Sequence, residues 1–513
     1  MSSTPALTTI VIPTLGRPSL EVLLAALAAQ SRQVDVPIVL VDDRRSPDRD
    51  LVLAATDLDI TVARGGGRGP AHARNVGWRN ARTPWVSFLD DDVVPDEDWY
   101  ATLVADLASA EADDRLGSAG RVRVPLPADR RPTDWERGTA GLATARWITA
   151  DLSYRRCTLA QVGGFDERFP RAFREDADLA LRIVAATGGD EDAIVTGDRW
   201  ITHPVRPSDD WASLRQQAGN ADDMLMRRLH GADWHERAGE HVGRRPRHLL
   251  ITAAAALAVG GVLARKGTMA AVGATIWVAG TAEFAWKRIA PGPRDRDEVR
   301  RMLLTSMAIP PAASWHTAHG LVAHRRAVAW QGPPELVLLD RDGTLVRDVP
   351  YNGDPAKVEP MPGAREALDR LRAEGIRVAV VSNQSGVARG LLTAEQVEAV
   401  NARVDELLGP FEACHVCPHG PDDGCECRKP EPGLVKRALA EAGVVPDRAV
   451  LIGDIGSDVE AAAAAGVASI LVPTPITRAE EVRAAPQVAA TLGEAVDAIL
   501  GDVTGPTRAE DTR

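Results

Sequence analysis

The sequence predicts an α/β protein of two domains joined by a helical apolar hairpin region. Three observations carry that reading. At 513 residues the chain is too long for one ordinary domain. Short apolar runs alternate with helix-like stretches over about residues 1–205 and again over about 335–500, as strands and crossover helices of parallel sheets do. Between them lie two apolar runs rich in Ala and Gly, 249–263 and 268–286, separated by Ala264-Arg265-Lys266-Gly267. The implied division is a first domain over 1–230, a hairpin and linker over 231–334, a second domain over 335–500 and a disordered tail over 501–513.

With 45% hydrophobic and 26% charged residues, the chain has the make-up of a globular protein. Its formal charge of -12 argues against a nucleic-acid partner, which would need a basic face. The opening stretch MSSTPALTTIVIPT lacks a basic n-region and a long apolar core before a cleavage site, so no secretory signal is read. Four of the five cysteines fall within 414–427, which suggests a metal site rather than a disulfide framework. The expected compartment is the reducing cytosol, free or attached to the cytoplasmic face of a membrane. Lysine stands only at Lys266, Lys287, Lys357, Lys429 and Lys436, so a lysine inside a motif carries weight.

In the first domain, 9–14, 37–41 and 84–89 read as strands and 20–30 as an amphipathic helix. The second strand runs into Asp42-Asp43 and the third into Asp90-Asp91-Asp92. Carboxylates at the carboxyl edge of a parallel sheet stand where such folds bind nucleotides. Asp90 and Asp92 suit a divalent ion shared with a diphosphate, and oxygen ligands favour Mn²⁺ or Mg²⁺. An acidic triplet alone suits a surface turn equally well. Further on come Arg68-Gly69-Pro70-Ala71-His72-Ala73-Arg74-Asn75, Gly163-Gly164-Phe165-Asp166-Glu167 and Arg174-Glu175-Asp176-Ala177-Asp178.

In that order, over about residues 7–230, these motifs resemble the family-2 glycosyltransferases of GT-A fold. The resemblance implies a nucleotide-sugar donor. Pro13 and Thr14 would lie in the first strand, Asp42, Asp43 and Arg74 would bind the donor, and Asp90 and Asp92 would hold Mn²⁺ or Mg²⁺. Asp176 would be the general base that deprotonates the acceptor hydroxyl, giving inversion at the anomeric carbon. His203 is either a third metal ligand or a structural histidine, and the sequence leaves both open.

Residues 206–247 read as helical and charged, and 290–335, rich in Pro and Arg, as a connecting segment with short helices. The apolar runs are fifteen and nineteen residues long, against about twenty for a membrane span. Two readings stay open. One is a soluble helical hairpin packed on the first domain; the other is a membrane association through 249–286, which would suit a lipid-linked acceptor.

The second domain opens on Leu338-Leu339-Asp340-Arg341-Asp342-Gly343-Thr344. Strand residues i and i+2 share a side, so two carboxylates leave a buried strand together. That is costly unless a cation or a phosphate reaction offsets it. Asp340 reads as a nucleophile and Asp342 as an acid/base, with Mg²⁺ balancing their charge. Strand 378–381 ends in Ser382-Asn383-Gln384-Ser385-Gly386, Arg428-Lys429-Pro430 supplies a fixed cation, and strand 449–452 ends in Gly453-Asp454, with Asp458 four residues on.

Here the chain resembles the haloacid dehalogenase (HAD) phosphatases, whose Rossmann-like fold and four motifs match Asp340/Asp342, Ser382, Lys429 and Asp454/Asp458. The resemblance covers about 335–490 and implies hydrolysis of a sugar phosphate through an aspartyl-phosphate on Asp340. Mg²⁺ would be held by Asp340, the backbone carbonyl of Asp342, and Asp454; Ser382 and Lys429 would stabilise the phosphoryl oxygens. Cys417, His419, Cys425 and Cys427 form C-x-H-x5-C-x-C, a set suited to a closed structural Zn²⁺ site. Cys414, outside the pattern, is read as a packing residue. This layout resembles the zinc-bearing HAD subgroup that contains heptose bisphosphate and histidinol-phosphate phosphatases. The stretch SNQSGVARG is similar to the heptose enzymes, with Asn383, Arg389 and Arg428 implied in substrate binding. Ile455 stands where those enzymes carry Lys. Histidinol phosphate as substrate, beside a non-catalytic nucleotide-binding or membrane-docking first domain, remains the alternative.

Overall fold

The computed structural model describes residues 6–30, 36–45, 50, 51, 53 and 57–504, with only the backbone over 501–504. The chain divides into two compact units, the first running to Trp330 apart from Ala63–Gly65 and Asn75–Asn80, which group with the second, and the second otherwise covering the chain from Gln331.

The first unit is built on a mixed sheet of eight strands. These are β1 (Thr8–Thr14), β2 (Ile38–Asp42), β3 (Ile60–Arg64), β4 (Trp85–Leu89), β5 (Val94–Pro95), β6 (Gly117–Arg123), β7 (Asp151–Arg155) and β8 (Ile194–Thr202), in the order β3-β2-β1-β4-β7-β6-β8-β5. β1 pairs in parallel with β2 and β4, while β7 runs antiparallel to both β4 and β6. Helix α1 (Pro18–Gln30) buries Leu20, Leu23, Leu24 and Leu27, spaced to make one apolar stripe. That stripe joins Ile10, Ile12, Ile38, Leu40, Trp85 and Trp99 in a single core.

Three long helices close this unit: α2 (Arg245–Leu263), α3 (Gly267–Ile289) and α4 (Arg296–Ala323). The last corrects the expectation of short helices over 290–335. Pro310 and Pro311, two of the prolines of that segment, lie inside its 28 residues. An interior proline costs about 3 kcal/mol. The stripe Met302, Thr305, Ile309, Ala313, Thr317 and Gly320 is buried along its whole length, and that packing holds the helix through the prolines. Asp295 caps it, accepting from the Glu298 N–H at 2.9 Å.

The second unit is a parallel sheet of β9 (Leu336–Leu339), β10 (Arg377–Asn383), β11 (Cys414–Cys417), β12 (Ala449–Gly453) and β13 (Ala468–Leu471), ordered β11-β10-β9-β12-β13. Its strands alternate between two cores, as a sheet covered on both faces requires. Val337, Leu339, Val378, Val380 and Ile452 face one. Leu336, Leu338, Ala379, Val381 and Leu451 face the other. Cys414, expected to pack, is exposed instead at the start of β11. Of the expected tail, 501–504 continue a helix that ends at Thr504, and the rest lies outside the described residues.

Candidate active sites

In the second unit, Leu339 at the end of β9 stands in register with Val380 on β10 and Ile452 on β12. The residues that follow on these adjacent strands, Asp340, Ser382 and Asp454, therefore leave the same edge of the sheet. Lys429 reaches into it: its ammonium bonds the Asp340 carboxylate, donates to the Val381 carbonyl at 2.8 Å and pairs with Asp458 at 2.6 Å. Ligand oxygens of Asp340, Asp454 and Asp458 lie within 4.8 Å of one another. Gly343, at φ 85°, allows this approach, because a Cβ there would meet Asp454 Oδ2 at 2.3 Å.

The electrostatics are strained in one direction. Burial pushes the Asp340 carboxyl up to about 8 against the pull of Lys429. Burial, with Asp458 adding to it, pushes Asp454 to about 7. Burial works to deprotonate Lys429, and Asp340 and Asp458 overcome it, so its pKa lies above the ordinary lysine value. Three buried carboxylates against one ammonium leave a surplus of negative charge that a divalent cation would neutralise.

Asp342 is turned aside. Arg341, itself buried, donates to it at 3.1 and 2.8 Å and to Asn401 at 2.6 Å, and Gln384 Nε2 donates to it at 2.7 Å and to Ser382 Oγ at 2.9 Å. Asn383, implied as a substrate ligand, instead brackets the Lys429 backbone, donating to its carbonyl at 3.0 Å and accepting from its N–H at 3.1 Å. Arg389 is exposed and donates to the Tyr351 hydroxyl at 2.6 Å, while Arg428 donates to the His419 carbonyl at 3.3 Å.

Cys417, His419, Cys425 and Cys427 converge just before Lys429. Their sulfurs are 3.2, 3.6 and 3.7 Å apart, and His419 Nδ1 lies 3.5 and 3.3 Å from the sulfurs of Cys417 and Cys427. A tetrahedron of Zn–S bonds near 2.3 Å has edges of about 3.8 Å, so the donor set fits that ion.

In the first unit, Thr14 at the end of β1 is in register with Asp42 at the end of β2. The middle acid of the triplet, Asp91, is structural: it accepts from Thr14 Oγ1 at 2.7 Å and pairs with Arg17 at 3.1 Å. Asp90 and Asp92 flank it and bring ligand oxygens within 4.8 Å of a His203 ring nitrogen. An Nδ1–H donated to the Pro204 carbonyl, 3.2 Å away, leaves the Nε2 lone pair toward Asp92, 3.7 Å off. That tautomer suits a metal ligand. Arg206 also pairs with Asp92.

Buried Arg74 connects two motifs, donating to Asp90 at 2.7 Å and to Glu175 at 2.8 Å. Burial, with Asp176 adding to it, pushes Glu175 up to about 8, and burial raises Asp176 as well. Asp42 and Asp43 are engaged elsewhere. Arg44 donates to both oxygens of Asp42 at 2.8 Å. Asp43 accepts the N–H groups of Gly67, Arg68 and Gly69 at 2.9, 3.1 and 3.0 Å, anchoring that loop.

Comparison with known proteins follows this division. The glycosyl transferase family 2 model matches residues 9–176, a haloacid dehalogenase-like hydrolase model matches 337–414, and a HAD-hydrolase-like model matches 426–496. Over 146 residues the chain is 42% identical to a D-glycero-beta-D-manno-heptose-1,7-bisphosphate 7-phosphatase of Pseudomonas putida, covering 27% of this chain and 83% of that one. The chain belongs to the family-2 glycosyltransferases in its first unit and to the haloacid dehalogenase phosphatases in its second. The counterpart of Yersinia pestis is 34% identical, over 29% of this chain and 86% of its own. A solved D,D-heptose 1,7-bisphosphate phosphatase of B. bronchiseptica, complexed with magnesium and phosphate, is 33% identical over 33% of this chain and 99% of that one, with a TM-score of 0.31.

For the phosphatase, the structure thus brings Asp340, Lys429 and Asp454 together and adds residues that the motifs did not single out. Arg341, Gln384 and Asn401 form the clamp on Asp342. Thr474 Oγ1 donates to Asp454 Oδ2 at 3.1 Å, and Thr477 Oγ1 to the Asp454 carbonyl at 2.6 Å. For the glycosyltransferase, the addition is Glu175, whose link through Arg74 to Asp90 spans 101 residues of sequence before it closes. The hydroxyls beside Asp454 carry no sequence signal; Glu175 was legible only as an acid in an acidic pair.

Proposed function

We propose that the chain is bifunctional: the second unit hydrolyses the 7-phosphate of D-glycero-D-manno-heptose 1,7-bisphosphate, and the first transfers a sugar from a nucleotide-sugar donor. The observation that carries the reading is the buried Asp340–Lys429–Asp458 contact beside Asp454, on a domain similar over most of its length to heptose bisphosphate phosphatases. Asp340 attacks phosphorus, the Asp340 O–P bond forms, and the bond from phosphorus to the sugar oxygen breaks. Asp342, released from Arg341 and Gln384, gives its proton to that oxygen. Water then attacks the aspartyl-phosphate, Asp342 takes its proton, and the P–O bond to Asp340 breaks. Lys429 and the Ser382 hydroxyl hold charge on the phosphoryl oxygens. Asp340 and Asp454, with the Asp342 carbonyl, would hold Mg²⁺, which supplies charge neutralisation and Lewis-acid polarisation when bound.

A structural Zn²⁺ on Cys417, His419, Cys425 and Cys427 would fix the loop that presents Lys429. In the first unit, Asp90, Asp92 and His203 would hold Mn²⁺ or Mg²⁺ against the donor diphosphate, and Asp176 takes the acceptor proton. Its raised pKa favours that role. In this reading the chain acts in the cytoplasm, and the apolar runs over 249–286 would suit an acceptor that is lipid-linked.

The test is phosphate release by the full-length chain from heptose 1,7-bisphosphate, histidinol phosphate and hexose phosphates, with Asp340→Asn as the blank. A preference for the bisphosphate of about a hundredfold is expected; a preference for histidinol phosphate, or none, overturns the substrate.

A further inference from the structure

We propose that the α2–α3 hairpin inserts into a lipid bilayer with anionic headgroups and seats the glycosyltransferase unit on it. Three independent features of the hairpin lead there: how its helices meet, what they expose and where their charge lies.

The two helices meet through small residues. A Cβ at Gly261 would meet the Ala270 N at 2.4 Å, one at Gly273 the Ala258 N at 2.5 Å, and one at Gly280 the Ile251 Cγ1 at 2.7 Å. Helix-interior glycine costs about 1 kcal/mol relative to alanine in water. Here it allows backbone-to-backbone contact, the packing that helices use in lipid.

Large apolar side chains are left on the outside. Leu250 is 60% exposed, Val259 60%, Val262 67%, Leu263 79% and Trp286 62%, with Val272, Ile276 and Val278 exposed as well. A soluble amphipathic hairpin does the reverse, burying its large residues and exposing polar ones. Two of the hairpin's hydroxyls bond within their own helix, Thr252 donating to the His248 carbonyl at 2.8 Å and Thr275 to the Ala271 carbonyl at 2.9 Å, while the buried Thr281 hydroxyl has no partner among the described residues. Among the described residues, α2 is the one helix long and apolar enough to cross a membrane by length and composition. At 19 and 23 residues, the helices extend about 28 and 34 Å at 1.5 Å per residue, close to the roughly 30 Å of a hydrocarbon core.

Charge selects the occupant. From 249 to 286 the ionisable side chains are Arg265 and Lys266 at the tip and Glu283 near the base. Glu283 is outnumbered there, pairing with Arg244, Arg247 and Lys287. Over 244–294 the sequence holds eight Arg and Lys against that one acid, within a chain of charge -12. Two such basic surfaces repel, so a second copy of the chain is a poor cover for this face. Anionic headgroups complement it, with Trp286 and Lys287 placed as interfacial anchors.

The test is flotation of the full-length chain with phosphatidylcholine vesicles, with and without phosphatidylglycerol, followed by quenching of tryptophan fluorescence by bromine-labelled acyl chains. The wild type is expected to float with the phosphatidylglycerol vesicles, to stay bound when salt is raised and to be quenched. Leu263→Asp with Ile276→Asp, both at exposed positions, is expected to weaken binding by at least about tenfold while phosphate release stays unchanged. Arg265→Gln with Lys266→Gln is expected to weaken it about fivefold or more on anionic vesicles alone. Failure to float on either vesicle overturns the proposal. So does binding that the aspartates leave intact, or a soluble dimer that the same aspartates dissociate.

Discussion

Both units end parallel strands in aspartates, yet the two acidic clusters are built to opposite plans. In the phosphatase the carboxylates close on a buried ammonium: Lys429 ties Asp340 to Asp458, and Thr474 holds Asp454. In the glycosyltransferase the cations are guanidinium groups, buried Arg74 on Asp90 and exposed Arg206 on Asp92, and the Asp90 carboxylate is 26% exposed. A nucleophile must be held at one distance from one phosphorus, which favours burial and a compact point charge. A donor site must admit a diphosphate with its metal, which favours an open rim of forked donors. The difference teaches that an Asp-x-Asp pattern describes two unlike devices, distinguished by the cation behind it.

The comparison breaks most sharply at Asp340. Asp340→Asn removes the nucleophile and is expected to lower phosphate release by about 10⁴-fold or more; release above that level would place the nucleophile elsewhere. Lys429→Met is expected to cost about 10²–10³-fold, measured as kcat on the same substrate, and to lower the thermal midpoint by leaving Asp340 and Asp458 without their cation. In the other unit, Arg74→Lys keeps the charge and loses the fork between Asp90 and Glu175. Donor turnover is expected to fall about 10–100-fold, and an unchanged rate would show that the bridge does not position Asp90.

The smallest effect is one of pH. Asp340 and Asp454 sit at about 8 and about 7, above their unfolded values near 3.8. The metal-free native state therefore keeps protons that the unfolded chain has lost. The resulting penalty is absent below about pH 4, grows as pH rises and is complete above about pH 8. Mg²⁺ competes with those protons. The rise in thermal midpoint on adding Mg²⁺ is expected to be larger at pH 8 than at about pH 5.5, by a few degrees; a rise independent of pH would mean that the ion binds elsewhere.

What the sequence made legible was whatever a strand end dictates. Asp340, Ser382 and Asp454 each follow an apolar run, and their order along the chain, with the HAD resemblance it carries, grouped them before their strands were seen side by side. The cysteine cluster was readable for a similar reason, since eleven residues suffice to bring four donors together. Partners that meet through tertiary folding were not. Arg341 and Gln384 restrain Asp342 directly, and Arg341 is itself held by Asn401, 60 residues away. Asp43 read as a ligand for a nucleoside because it ends a strand, and its oxygens serve the N–H groups of a loop 24–26 residues later. The helix over Arg296–Ala323 was hidden by Pro310 and Pro311, because local propensity cannot register the packing that overrides it.

The central claim is two independent chemistries on one chain. It is tested most directly by measuring donor turnover and phosphate release side by side on the wild type, Asp92→Ala and Asp340→Asn. The account predicts that Asp92→Ala lowers donor turnover by about 10²-fold or more with phosphate release within about twofold of wild type, and that Asp340→Asn does the converse. Loss of both activities in either variant, or no donor turnover in any of the three across a broad donor and acceptor panel, would contradict it.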